Sequence, residues 1–222
     1  MKPNKIALFL LVELVLYIFI LFVPNVLPSG VFHFTSIVVC LLFLLLNKVN
    51  SKKWNIILIG MIFTVIADYF LTLRGTEQLL GTIFFAFAQL MFGLVLHVQE
   101  LTYKRRFLIA RLVFVLIFLG ISYIVVGSAI DVLVIVAVFY YSNLIYNAAV
   151  ACRYWRRDWL FALGLLFYIC CDTLVGLSQS AAYLYLAPDS IWVFLLNFPI
   201  NLIWLFYLPS QILIVLSTQK HS

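Results

Sequence analysis

Lys52-Lys53-Trp54-Asn-Ile-Ile-Leu-Ile-Gly60-Met-Ile-Phe63-Thr-Val-Ile-Ala-Asp68 opens on a basic pair, stays apolar for most of a bilayer's depth and ends on a carboxylate. A near-copy recurs in Arg156-Arg157-Asp158-Trp159-Leu-Phe-Ala-Leu-Gly164-Leu-Leu-Phe167-Tyr-Ile-Cys-Cys-Asp172. Both contain a basic pair, a Trp and then Gly-x-x-Phe-x-x-x-x-Asp. A carboxylate within hydrocarbon is costly, so Asp68 and Asp172 are candidates for function.

The rest of the chain has the same character. Of its 222 residues 66% are hydrophobic and 10% charged, with a mean hydropathy of +1.18. These values lie outside the range of soluble domains and place the chain in a membrane. Apolar runs able to cross ~30 Å of hydrocarbon are read at about 6–23, 31–46, 54–73, 79–97, 107–126, 130–150, 159–178 and 191–217. The expected fold is an all-α integral membrane protein of eight transmembrane helices, with residues 1–222 forming one transmembrane domain. Run 31–46 is short, and the last run carries Pro199 and Pro209, which are expected to kink it.

Charge placement gives an orientation, because Lys and Arg favour cytoplasmic loops. Eight spans put Lys2, Lys5, Lys48, Lys52, Lys53, Lys104, Arg105, Arg106, Arg111, Arg153, Arg156, Arg157 and Lys220 on one side and only Arg74 on the other. Both termini are then expected in the cytoplasm. The net charge of +6 reflects topology and not nucleic-acid binding. The first run contains Glu13 and has no convincing small-x-small cleavage site, so it reads as a retained anchor. Cys40, Cys152, Cys170 and Cys171 are poorly placed for a disulfide framework. A short chain of this kind suits a bacterial inner membrane, with an internal eukaryotic membrane as the alternative.

Loops are short, so chemistry must occur between helices. Fourteen residues separate Trp54 from Asp68, about 21 Å at ~1.5 Å per residue, and the second copy is nearly the same. Both carboxylates therefore lie past the midplane on helices that start from the same side, which makes the repeat a parallel one. Gln89 lies mid-span in the fourth run, and Tyr140, Asn143 and Asn147 share one face of the sixth. Asn197, Asn201 and Gln211 add polar groups to the last run, and Glu13 and Tyr17 to the first. Such amides and phenols also serve as interhelical glue. Tyr183, Tyr185 and Trp192 read as interfacial anchors.

Among candidate chemistries, zinc hydrolysis lacks its ligands. His97 and His221 fall near the basic ends of their spans, and only His33 can approach the aspartates. No metal or other cofactor is expected. There is no Gly-x-Ser-x-Gly nucleophile motif and no Gly-rich phosphate loop. Acid and base work by carboxylates remains. A carboxyl group in an apolar pocket resists ionisation, and two close ones can share a proton, so that one donates it while the other stays charged. The competing reading is helix packing, with Gly60 and Gly164 allowing close approach and each Asp accepting structural hydrogen bonds.

These phrases resemble the YhhN-like lysoplasmalogenase family of eight-span membrane proteins. In that family's third-helix motif Gly60, Phe63, Asp68 and Leu71 match; in its fourth, Gly81, Phe85 and Ala88. Gly164, Phe167 and Asp172 match the seventh helix, and Tyr207, Gln211, Leu213 and Ile214 a closing phrase. Ala67 stands where the family has Gly and Cys171 where it has Ser, while Gln89 and Phe92 replace its His and Tyr. The loss of His removes an obvious proton shuttle.

The resemblance implies hydrolysis of the vinyl-ether bond of a lysophospholipid, a membrane lipid, giving fatty aldehyde and a glycerophospho-alcohol. It implies Asp68 and Asp172 as catalytic residues, with Gln89, Asn143, Asn197, Gln211 and Tyr207 around water or the glycerol. A proton-linked transporter or lipid-binding protein using the same aspartates is the alternative, as is an inactive relative of the enzyme. Headgroup, chain length and oligomeric state are left open by the sequence.

Overall fold

The computed structural model describes residues 3–23, 29–99, 104–180, 187 and 189–219. Lys2, Tyr183, Tyr185, Lys220 and His221, which carry sequence expectations, lie outside them. The described residues form nine α-helices: α1 (Pro3–Phe22), α2 (Ser29–Leu46), α3 (Lys52–Asp68), α4 (Gln78–Val98), α5 (Lys104–Val126), α6 (Val132–Arg153), α7 (Trp159–Ser180), α8 (Ile191–Leu196) and α9 (Leu202–Leu216). Six segments are long and apolar enough to cross a membrane, those of α1, α3, α4, α5, α6 and α7. α2 and α9 are shorter apolar helices, and the 15 residues of α9 span about 22 Å at ~1.5 Å each. Leu108, Leu112, Leu116 and Ile124 of α5 are exposed, as expected of a surface facing lipid.

Two departures from the eight-run reading have local causes. The last run is not one kinked helix but two helices separated at residues 197–201. Pro199 has no N–H with which to continue the ladder, and Asn201 restarts it by accepting from the Trp204 N–H at 3.3 Å. Pro209 is accommodated inside α9. The third run changes winding immediately after Asp68, continuing as a π-helix over Tyr69–Arg74. That segment closes on Gly75, whose N–H bonds the Phe70 carbonyl at 2.9 Å and whose φ of 66° favours glycine. The Thr72 hydroxyl takes the Asp68 backbone carbonyl at 2.6 Å. Single π turns inside α-helices often mark functional positions.

α3 packs chiefly on α4 and α7 on α9, with α6 lying against both α4 and α7. The repeated glycines sit at the first two of these contacts. A Cβ on Gly60 would lie 2.7 Å from the Phe92 ring of α4, and one on Gly164 would lie 2.9 Å from Ile214 and 3.0 Å from the Ser210 carbonyl of α9. The glycines thus draw each Asp-bearing helix onto a different neighbour. Gly164→Val is expected to cost about 1–3 kcal/mol through overpacking, seen as a lower midpoint of thermal unfolding. Gly176→Val, where a Cβ meets open space, should leave the midpoint near that of the parent.

The starts of α3 and α7 are joined by a buried ion pair, Lys53 Nζ to Asp158 Oδ2 at 2.5 Å. Lys53 also donates to the Ser217 carbonyl after α9 at 2.7 Å, and Gln99 after α4 donates to Asp158 at 3.2 Å. Four helices are pinned at the basic end by one cluster. Lys53 was counted by charge as a loop cation; its head is instead turned into the bundle.

Candidate active site

Asp68 is buried at the last α-helical position of α3, and Asp172 is half-buried on α7. The two carboxylates are linked through their phenol partners, Tyr207 and Tyr140, which both pack on the Phe85 ring. With the Lys53–Asp158 pair at one end and, at the other, aspartates whose phenol partners share the Phe85 ring, α3 and α7 run in the same direction.

Each carboxylate takes a phenol. Tyr207 of α9 donates to Asp68 Oδ2 at 2.7 Å, and Tyr140 of α6 donates to Asp172 Oδ2. Tyr168, one helical turn before Asp172, is fully buried and within electrostatic range of both carboxylates.

Phe85 of α4 lies among the three phenols. Its ring centre is 5.8 Å from that of Tyr140 and 6.2 Å from those of Tyr168 and Tyr207, the last two edge-on. Trp204 then meets Tyr207 edge-on at 5.0 Å, and His33 stacks flat on Trp204 at 4.0 Å. His33 therefore reaches the Asp68 surroundings through two aromatic rings and not as a direct partner. Among the described residues no group of three or more His, Cys, Asp or Glu is placed to hold a metal ion.

The remaining expected residues divide. Gln89 and Asn143 belong to a second polar cluster on α4 and α6: Asn147 Nδ2 donates to the Gln89 carbonyl at 2.8 Å and to its Oε1 at 3.3 Å. Arg111 of α5 joins this cluster, with Nη1 to Asn143 Oδ1 at 2.8 Å and Nη2 to Asn147 Oδ1 at 2.5 Å. Grouped by charge with the loop cations, Arg111 in fact lies within α5 and points inward. Tyr140 and Asn143 are one turn apart on α6, so the two clusters adjoin.

Gln211 is fully buried on α9, its Nε2 on Ser210 Oγ at 3.2 Å. Asn197 is exposed and its amide bonds back to Val193 on its own helix at 3.0 Å, so the structure does not bring it to the aspartates. Asn201 serves as the cap of α9.

Sequence alone marks Tyr140 as polar without joining it to Asp172, and it does not single out Tyr168. A spacing signal existed for Tyr168, which sits four residues before Asp172, where side chains share a helix face. At the matching place in the first copy stands Thr64, spent on the Gly60 carbonyl at 3.1 Å. A further carboxylate, Glu13 of α1, is buried and accepts from Cys40 Sγ at 3.4 Å.

Chemically, the aspartates are two carboxylates in an aromatic and aliphatic wall, each held by a hydroxyl donor. Such a pair can deliver a proton to an apolar substrate and hold negative charge beside a developing cation. In comparisons with known proteins, the family model described as the YhhN family matches residues 29–218, which spans α2 to α9. No curated protein and no solved structure matches.

Proposed function

The chain belongs to the YhhN family, and we propose that it is an intramembrane hydrolase of lysoplasmalogen-type lipids. The observation that carries this reading is the pair of phenol-bound carboxylates, Asp68 with Tyr207 and Asp172 with Tyr140, enclosed in an apolar bundle. Family membership supports the lipid class, and the carboxylates suit the bond.

A vinyl ether breaks when its β-carbon takes a proton. The resulting oxocarbenium ion is captured by water at the α-carbon, and the hemiacetal collapses to a fatty aldehyde and the glycerol hydroxyl of the headgroup fragment. In this scheme one aspartate enters protonated and gives its proton to the β-carbon. The other is ionised, stabilises the cation and accepts a proton from the attacking water. As the hemiacetal opens, its hydroxyl proton passes to the first aspartate and the leaving glycerol oxygen takes the proton held by the second, which restores the starting state, so the cycle consumes one water and no other reagent.

The phenols act as positioning residues. Tyr207→Phe keeps the packing against Phe85 and Trp204 but removes the donor to Asp68. A hydrogen bond to a charged group is worth ~1.5–3 kcal/mol, so kcat should fall roughly tenfold or more with KM little changed. Steady-state kinetics with the purified variant checks this split.

For the topology we infer that all eight apolar segments cross the membrane, with the basic ends and both termini in the cytoplasm of a bacterial inner membrane. The parallel arrangement of α3 and α7 supports a repeat related by an axis along the membrane normal.

The test of function is release of fatty aldehyde from a vinyl-ether lysolipid by purified protein, beside the ester-linked lysolipid as control. A proton-linked transporter built on the same aspartates would show pH-dependent flux and no product. Absence of aldehyde from any vinyl-ether lysolipid would end the enzyme reading.

A further inference from the structure

Arg111 is an intramembrane cation whose described partners are all neutral. Its two terminal nitrogens go to Asn143 and Asn147, and its guanidinium lies 4.7 Å from the Phe107 ring centre and 5.4 Å from that of Tyr146. Among the described residues Lys53 pairs with Asp158, and Arg111 takes part in no ion pair. A charge withdrawn from water without a counter-charge is strongly unfavourable. An arginine at such depth marks a functional place by default.

Two donors in this cluster have no acceptor. Among the described residues Arg111 Nε and Gln89 Nε2, both buried, have no partner, and Gln89 is fully enclosed. The cluster's other donors are spent, since Asn143 Nδ2 bonds the Phe139 carbonyl at 2.7 Å and Asn147 Nδ2 bonds Gln89. The asparagines hold the guanidinium by its tips, and its head is pressed against Gly93, where a Cβ would meet Nη2 at 2.4 Å. The helices are thus fitted around a fixed, planar cation that still lacks a negative acceptor.

We propose that Arg111 and Gln89 form a binding site for the phosphate of a single-chain phospholipid, next to the aspartate pair. This assignment rests on the lysophospholipid reading for its ligand class. The guanidinium suits a phosphate through its fork of donors and weak hydration.

Placement agrees with one molecule filling both clusters. Along α6, Asn143 and Asn147 lie three and seven residues from Tyr140, about 5–10 Å at ~1.5 Å per residue. Phosphate and vinyl ether occupy the two ends of one glycerol, a separation of the same order. Arg111 lies seven residues into α5, about 10 Å from its start, so the headgroup points toward the basic end and the chain away from it.

The test uses ligands that cannot turn over: a hexadecyl-ether lysophosphatidylethanolamine, hexadecylglycerol with the same chain but no phosphate, and inorganic phosphate. Binding is read by displacement of a fluorescent lysolipid from protein in nanodiscs. The parent should bind the phospholipid at least about tenfold more tightly than hexadecylglycerol. Arg111→Gln should abolish that preference while leaving hexadecylglycerol binding unchanged, and Arg111→Lys should restore part of it. Gln89→Met, a milder packing change, should reduce the preference several-fold, so the proposal stays testable if Arg111→Gln does not fold.

Equal binding of both lipids by the parent, or a preference that survives Arg111→Gln and Gln89→Met, would overturn the proposal. Displacement by inorganic phosphate at the concentration of the lipid would assign the site to the free anion and overturn the lipid assignment. A parent that binds with preference but releases no aldehyde would keep this site and remove the hydrolase reading.

Discussion

Asp68→Asn and Asp172→Asn are each expected to lower the rate of aldehyde release by a factor of about 10²–10⁴, the usual worth of a positioned proton donor or acceptor. Asn keeps the size of the side chain and a carbonyl oxygen able to accept from Tyr207 or Tyr140, so the hydrogen bonds that hold the site can persist. What each variant loses is the exchangeable carboxyl proton and the negative charge. The double variant should be hardly slower than the worse single one, because groups acting in one step do not contribute additively. Thermal unfolding of each variant near the parent midpoint would separate loss of chemistry from loss of fold. A single variant that retains parental turnover would remove that aspartate from the mechanism.

Lys53→Met is expected to destabilise the protein by about 3–5 kcal/mol, the cost of leaving a buried charge without its partner. Asp158 is buried and, among the described residues, would retain the Gln99 amide at 3.2 Å. The loss should be felt by several helices together, since Lys53 also holds the Ser217 carbonyl at the end of α9. Lys53→Met combined with Asp158→Leu should recover most of the loss, because two apolar groups of similar volume often replace a buried ion pair at little cost. Unfolding midpoints of the parent, both single variants and the double variant form the cycle that measures this. Equal destabilisation by the single and double variants would show that the pair does not hold the basic end.

The membrane class and helix positions were legible because a bilayer imposes a length on every apolar run. The runs read at 54–73 and 159–178 begin within two residues of α3 and α7. Hydropathy does not register how backbone bonds are arranged within a run. The break at residues 197–201 and the π winding after Asp68 were therefore hidden, although Pro199 marked the first as a weak point.

The aspartates stood out because carboxylates are rare in hydrocarbon. Their phenols did not, since a tyrosine is equally at home at a membrane interface. Tyr207 was reached only through the closing phrase of the family resemblance, and its contact with Asp68 joins residues 139 positions apart. For Arg111 and Lys53, counting charges assigns each residue to an end of a helix but not the direction in which its long side chain points. Both turn inward, one to an aspartate and one to asparagines.

The central claim is that a carboxyl proton is delivered to carbon. Turnover of a vinyl-ether lysolipid in D₂O, with the aldehyde reduced as it forms and analysed by mass spectrometry, tests it most directly. The account predicts one solvent deuterium on the carbon next to the carbonyl carbon, and loss of this product in Asp68→Asn and Asp172→Asn. Aldehyde released without that deuterium, or the absence of any aldehyde from the parent protein, would contradict it.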